Sequence, residues 1–139
     1  MKKIIIPLKK IKTIEKAPIF AVKAKIGNIK GYLILDTGSQ INVISDSIKN
    51  YSQEEFTIFD KIVTISEDIV KDVKVVSIKN AKFGNKSINL GYCCVIDLKH
   101  IQSIVKPNYT ILGLLGLNFL MEQKAIINFK TKKLILYYN

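Results

Sequence analysis

The chain has 139 residues, a length that fits one domain with a core of its own. Hydrophobic residues make up 48% and charged residues 24%, values that argue against global disorder. The formal net charge of +11 comes from 22 basic residues, all of them lysine. Specific base contacts and two-pronged phosphate contacts favour arginine, which is absent, so the charge argues against a specific nucleic-acid reader.

The chain begins with a basic segment, residues 1–16, placed before a single predicted domain at residues 17–139. Its apolar run is cut by Pro7 and two lysines, and is too short for a signal peptide. No apolar stretch reaches the length of a transmembrane helix, so we expect no membrane insertion. The basic segment is compatible with a loose arm, a strand at a subunit interface or a flank of a β-barrel formed by the domain.

From residue 19 onward the pattern is typical of short β-strands rich in Ile, Val, Tyr and Phe. Strands at Ile19–Ile26 and Ile29–Leu35, separated by Gly27 and Asn28, predict a hairpin. A short strand is predicted at Asn42–Ser45, with a helical turn directly after it. The first third of the chain therefore predicts β-structure built from local pairs.

The remaining elements continue this pattern. Strands are predicted at residues 61–65, 70–78, 90–96, 111–115, 125–129 and 134–138, a polar loop at 97–109 and a short helix at 118–123. The last strand is apolar enough to pack at a subunit interface, or to close its own sheet. Short strands at near-regular spacing predict an all-β fold, a small closed barrel or sandwich with one short helix.

The only two cysteines, Cys93 and Cys94, are adjacent. Neighbours on a strand point to opposite faces, so we predict no disulfide, one buried thiol and one nearer the surface. Their spacing suits no zinc site, and no phosphate loop or other metal-ligand cluster is present. We therefore expect no metal, no cofactor and a reducing, cytoplasmic location. The single histidine, His100, lies in a predicted polar loop and gives poor support to a histidine-based catalytic group.

One acidic motif stands out in the predicted β-structure. Asp36 directly follows three large apolar residues, and Thr37, Gly38 and Ser39 follow it. Burial of an unpaired carboxylate is costly, while glycine permits unusual backbone angles in a tight turn. The motif can hold Asp36 rigidly in a cleft, but a strand-ending turn capped by the aspartate side chain also fits it, and three residues alone are a weak signal.

A second motif changes this balance. Leu114 and Leu115 precede Gly116, and a predicted short helix and a strand ending in Asn128 and Phe129 follow. With the Asp-Thr-Gly motif first and this motif second, the chain resembles the retropepsin-like aspartic peptidases, the single-lobe relatives of pepsin. The resemblance covers about residues 17–136, most of the chain.

The resemblance implies an all-β aspartic peptidase fold that functions as a homodimer. Asp36 would be the catalytic residue, one from each copy at a twofold axis, because the chain has one Asp-Thr-Gly motif and is too short for two lobes. Thr37 would join the two turns, Gly38 would leave room for substrate, and Ser39 would hydrogen-bond a catalytic carboxylate. The apolar residues Leu114 and Leu115, with Gly116, would pack beneath the turn.

The resemblance also implies a β-hairpin flap over the substrate, with residues 61–78 as the candidate and Ser66, Glu67 and Asp68 at its tip. Family flaps are usually rich in glycine, whereas residues 61–80 contain none. Viral members often carry arginine after the second motif, a position occupied here by Leu117.

Three functions follow from these observations. The first is a homodimeric aspartic endopeptidase that cuts extended peptides, with Leu35, Ile41 and Leu115 lining apolar pockets. The second is a non-catalytic retropepsin-like module that dimerises or binds a peptide, which the glycine-free flap region favours. The third is an unrelated small β-barrel that binds an acidic partner through its lysines.

Overall fold

The structure is a computed structural model that describes residues 1–15, 17–48, 55–58, 62–63, 69–70 and 73–138. The predicted all-β class is confirmed, because strands dominate the described residues and both helices are short. The predicted flap tip, Ser66, Glu67 and Asp68, lies outside the described residues.

The described residues contain fourteen strands and two helices. In chain order they are β1 (Lys2–Ile11), β2 (Ile19–Ile26), β3 (Ile29–Leu35), β4 (Asn42–Ser45), β5 (Glu55–Ile58), β6 (Ile62–Val63), β7 (Ile69–Val70), β8 (Val73–Ile78), β9 (Ala81–Phe83), β10 (Lys86–Ile88), β11 (Gly91–Ile96), α1 (Lys99–Ser103), β12 (Ile111–Leu115), α2 (Leu117–Glu122), β13 (Ile126–Asn128) and β14 (Lys133–Tyr138).

Twelve of these strands form one sheet, whose main path runs β13-β14-β1-β2-β3-β12-β4-β11-β8-β5. Strand β9 pairs with β2 and β10, and β6 pairs with β7 in a separate small sheet. Within the described residues the end strands β13 and β5 do not pair, so the predicted closed barrel is wrong and the sheet is open. Side-chain packing, rather than a full ring of strand pairs, seals the core.

The hairpin of β2 and β3 forms where the sequence predicts it. Its two strands pair in register from Ala21 opposite Ile34 to Ile26 opposite Ile29. Gly27 begins the turn with φ of 59°, a left-handed conformation that glycine adopts without steric cost. Local sequence is therefore sufficient to set this pair of strands.

The basic segment at the start of the chain contributes the long strand β1. Ile4, Ile6 and Leu8 are buried while the residues between them are exposed, the alternation expected of a strand with one covered face. Its first part pairs with β14 and its second part with β2. Strand β14 lies between β13 and β1, so it is an interior strand of the open sheet.

Strand β12 passes through the middle of the sheet and brings the two motifs together. It runs parallel to β3, with Leu115 opposite Leu35, and antiparallel to β4. Because the parallel strands end at the same edge, the residues that follow Leu35 and Leu115 meet there. The backbone pairing therefore positions Asp36 beside Gly116.

The sheet buries both of its faces at this point. Leu33 and Leu115 are part of the larger core cluster, whereas their neighbours Ile34 and Leu114 belong to a second cluster on the opposite face. Successive strand residues point to opposite sides, which explains the division. The strands under the candidate site are therefore covered on both sides and held in place.

The two helices differ in how well the sequence predicts them. Helix α2 falls at the predicted position within one residue. Helix α1 lies in a segment predicted as a polar loop, because Leu98, Ile101 and Val105 are buried against the second core cluster. Within the described residues, no helix is long and apolar enough to cross a membrane.

Candidate active site

The Asp36 turn, defined here as residues 36–39, begins where β3 ends. The backbone N–H of Asp36 donates to the carbonyl of Leu115 at 3.0 Å, which continues the parallel pairing of β3 with β12 by one bond. The N–H of Ser39 donates to the Asp36 carbonyl at 3.1 Å and closes the turn. The aspartate is therefore fixed to the sheet through its own backbone.

The two carboxylate oxygens of Asp36 have different surroundings. Oδ1 accepts the backbone N–H of Gly38 at 3.1 Å. Oδ2 is buried and has no hydrogen-bond partner within the described residues. Buried polar atoms in folded proteins are nearly always paired, so an unpaired carboxylate oxygen marks a position where another group can bind.

The tip of the turn is open while its base is tightly packed. Thr37 and Gly38 are exposed, and Asp36 is half-buried. At the base, a side chain on Gly116 would place its Cβ 2.3 Å from the carbonyl oxygen of Ile41. Gly116 therefore permits the second motif to lie against the segment that follows the turn.

The first two N–H groups of α2 donate to the last residue of the Asp36 turn and to the residue after it. The N–H of Leu117 donates to the Ser39 carbonyl at 2.7 Å, and the N–H of Asn118 donates to the Gln40 carbonyl at 3.0 Å. The first N–H groups of a helix have no acceptor within the helix, so the carbonyls of Ser39 and Gln40 supply acceptors that α2 lacks. Through these bonds the residues directly after Gly116 lie against the Asp36 turn.

Ser39 differs from the expectation. Its hydroxyl donates to the Ile41 carbonyl at 2.8 Å and not to the Asp36 carboxylate. The bond braces the backbone just after the turn. In this structure the side chain therefore stabilises the loop rather than the charge of Asp36.

The three apolar residues expected to line pockets are placed differently from one another. Leu35 and Ile41 are half-buried next to the turn. Leu115 is completely buried in the larger core cluster, so its expected place in an open pocket is wrong. Leu35 packs against the same cluster but is only partly buried.

The adjacent cysteines are both buried, so the expectation of one thiol near the surface is wrong. Cys93 faces the larger core cluster, and Cys94 packs in a small third cluster with Val75. Burial, and secondarily the neighbouring Cys94, raises the pKa of Cys93 to about 12, and burial also raises the pKa of Cys94. Neither thiol has the low pKa of a reactive nucleophile.

Asn42 is a site residue that the sequence reasoning assigned only to a strand. It is buried at the start of β4, accepts the Gly116 N–H with Oδ1 and donates from Nδ2 to the Leu90 carbonyl. The available signal was a strongly polar side chain opening an apolar strand, since such a group requires buried partners.

Within the described residues, no group of three or more His, Cys, Asp or Glu side chains is placed to hold a metal ion.

Comparison with solved structures agrees with this architecture, and the chain has a retropepsin-like all-β fold. It is similar to the crystal structure of a retropepsin-like aspartic protease from Rickettsia conorii, with a TM-score of 0.52. The match covers 98% of this chain and 91% of that chain at 16% sequence identity, which shows a shared fold. No protein-family model and no curated protein matches the sequence.

Proposed function

We propose that this chain is an aspartic endopeptidase that acts as a homodimer and hydrolyses peptide bonds with a water activated between two Asp36 carboxyls. The observation that carries the proposal is the difference between the two oxygens of the Asp36 carboxyl. One oxygen is held by the turn, while the other is buried without a partner within the described residues. A second carboxyl from another copy would supply the missing contact.

The chemistry follows from placing two carboxyls side by side. At a separation of about 3 Å they do not both ionise, so the pair shares one proton and titrates as a unit. The ionised member takes a proton from the bound water, whose oxygen attacks the carbonyl carbon of the peptide bond. The protonated member donates a hydrogen bond to the oxygen that becomes negative. The carbon–nitrogen bond then breaks as the carboxyl that took the water's proton passes it to the leaving amine, which returns the pair to one shared proton.

The surroundings of Asp36 support two requirements of this mechanism, an accessible turn and a fixed backbone. The exposed Thr37 and Gly38 leave the tip of the turn accessible to a second copy and to substrate. The base of the turn is held by backbone bonds to Leu115 and Leu117, so the carboxyl is kept in one position. A rigid base and an open tip are the combination that a shared site between two copies needs.

The proposed substrate is an extended peptide with apolar side chains near the cut. An extended segment can bind by adding a strand beside existing backbone, and alternate side chains then enter pockets. Leu35 and Ile41 are half-buried beside the turn and offer apolar surface for such side chains. The proposed enzyme requires neither metal nor cofactor.

The test is cleavage of a diverse peptide pool by wild type, Asp36→Asn and Asp97→Asn, between about pH 3.5 and 7. Asp97 is the matched control, because its Oδ1 also accepts the N–H two residues on, from Lys99 at 2.9 Å. We expect Asp36→Asn to lower kcat about 100-fold or more, while Asp97→Asn changes it by less than about twofold. Sedimentation of wild type under the same conditions is expected to show a dimer.

Two results would contradict the proposal. One is a folded wild-type protein that cleaves nothing across the pH range, and the other is an Asp36→Asn variant that cleaves as well as wild type. In the first case, peptide binding without cleavage would favour the non-catalytic module that the glycine-free residues 61–80 already suggest. Wild type that is active as a monomer would exclude the shared site.

A further inference from the structure

Asn42 bonds to two segments that are distant in the chain. The side chain is 4% exposed at the start of β4. Oδ1 accepts the Gly116 N–H at 2.7 Å across 74 residues, and Nδ2 donates to the Leu90 carbonyl at 2.9 Å across 48 residues. An asparagine amide offers both an acceptor and a donor, so this one side chain satisfies two buried backbone groups.

The bond to Gly116 acts on the peptide group that also holds the aspartate. The Gly116 N–H and the Leu115 carbonyl belong to one planar peptide unit. The carbonyl side of that plane accepts the Asp36 N–H at 3.0 Å, and the N–H side is held by Asn42. A rotation of this plane would therefore displace the backbone of Asp36, and Asn42 opposes that rotation.

The bond to Leu90 anchors Asn42 from the other side. Leu90 is buried between β10 and β11, and its own N–H donates to the Ile78 carbonyl at 2.9 Å. Ile78 is the last residue of β8. Asn42 thus connects the base of the Asp36 turn to a part of the sheet that is itself fixed by strand pairing.

The geometry points to Asn42 as a positioning residue for the Asp36 carboxyl, one that acts through the Leu115–Gly116 peptide and touches neither substrate nor water. Aspartate in its place would keep the acceptor and lose the donor, while leucine would lose both. The kinetic consequence rests on the proposed function. The structural consequence, a fixed Leu115–Gly116 peptide, does not.

The test compares Asn42→Leu with Gln102→Leu in the full chain. Gln102 is the matched control, because its amide also bridges two backbone groups, donating to the Tyr109 carbonyl at 2.7 Å and accepting the Ile111 N–H at 2.9 Å. Each substitution removes two such bonds and keeps a similar side-chain volume. Only Asn42→Leu releases the peptide that holds Asp36.

The first readout is amide hydrogen exchange, which requires no catalytic activity. We expect the N–H groups of Asp36, Gly116 and Leu117 to exchange about 10-fold faster or more in Asn42→Leu, and to remain unchanged in Gln102→Leu. Amides that pair β1 with β14 are expected to stay protected in both variants. Unchanged exchange at the three site amides, or the same acceleration in both variants, would overturn the proposal.

The second readout is peptide cleavage, corrected for the folded fraction. We expect Asn42→Leu to lower kcat about 100-fold with KM changed by less than about threefold, because a displaced carboxyl weakens the chemical step more than binding. Asn42→Asp, which keeps the bond to Gly116, is expected to fall between leucine and wild type. Equal kcat losses in Asn42→Leu and Gln102→Leu would show a general structural effect and contradict the positioning role.

A measurement on wild type keeps the proposal testable if the variants fail to fold. The side-chain amide protons of Asn42 are expected to exchange with solvent about 10-fold slower or more than those of the exposed Asn85. Equally fast exchange would show that the bond to Leu90 is not maintained in solution, and would overturn the proposal. If wild type cleaves no peptide, the proposed function fails while the exchange results still decide the role of Asn42.

Discussion

Among the described residues, two aspartates that directly follow a strand, Asp36 and Asp97, begin turns with a similar hydrogen bond. Asp36 follows β3 and Asp97 follows β11, and in each turn Oδ1 accepts a backbone N–H two residues on. The donors are Gly38 at 3.1 Å and Lys99 at 2.9 Å. In their local hydrogen bonding, the two turns are nearly the same.

Their surroundings separate them. Asp97 is exposed and precedes α1, and the buried Ile101 of that helix packs in the second core cluster. Asp36 is half-buried, its turn lies against the Leu115–Gly116 peptide, and its Oδ2 has no partner within the described residues. The local turn therefore does not distinguish a candidate catalytic aspartate from a structural one. The tertiary contacts around the turn do.

The largest expected effect is on the packed base of the Asp36 turn. In Gly116→Ala the new Cβ would lie 2.3 Å from the Ile41 carbonyl oxygen, so the two backbones would have to separate. We expect the free energy of unfolding, measured by urea denaturation, to fall by about 3 kcal/mol or more. Gly84→Ala is the control, since Gly84 has φ of 65° and open space around it, and its expected loss is about 1–2 kcal/mol. Equal losses in both variants would mean that the turn and α2 are not tightly packed.

A smaller effect on the free energy of unfolding is expected from ionisation of Cys93 in β11. This residue pairs with Asn42 of β4, and β11 ends just before Asp97. Burial raises the pKa of Cys93 from 9.0 to about 12 in the folded protein. As the pH rises, the Cys93 thiol of the unfolded chain therefore loses its proton before that of the folded protein. The contribution of this thiol to the free energy of unfolding is complete below pH 9 and falls as the pH rises above 9.

The measurement is urea unfolding of wild type and Cys93→Ala at pH 8 and pH 10. Between these two pH values we expect wild type to lose about 1 kcal/mol more unfolding free energy than the variant, which cannot titrate at this position. The variant also controls for the many lysines that titrate in the same range. If both proteins respond identically, β11 is more open than its burial indicates.

The smallest effect is expected at the surface near α1. Nε2 of His100 lies 3.9 Å from Oε1 of Glu15, and both side chains are mostly exposed. Exposed ion pairs contribute little because water and salt screen them. Glu15→Gln is expected to change the unfolding free energy by less than about 0.5 kcal/mol near pH 6, with no change in the Asp36 turn. A loss above about 1 kcal/mol would show that charge, and not apolar packing, anchors the α1 region.

The prediction of the fold was most successful where the determinants are local. The β2–β3 hairpin has the predicted bounds because alternating residues and the turn at Gly27 lie within one short segment. The closed barrel was wrong because closure depends on whether the end strands β13 and β5 meet, which no local pattern records. Helix α1 was missed because its polar composition concealed the buried Ile101.

The prediction of the candidate site followed the same division. The sequence indicated Asp36 and Gly116 through two recognisable motifs, and the structure brings those motifs together. It did not indicate the role of Asn42, whose two partners lie 74 and 48 residues away. Such a bond depends on how distant segments cross, and the short-range pattern around Asn42 reads only as a strand.

By itself the sequence determined an all-β chain with an aspartate at the end of a buried strand, because strand propensity and turn chemistry act between near neighbours. Only the tertiary structure decided which aspartate is set into the sheet and which is exposed. The parallel pairing of β3 with β12 brings Asp36 against Leu115, and the bond to Gly116 adds Asn42. These contacts join segments far apart in the chain, so they exist only when the whole sheet has formed.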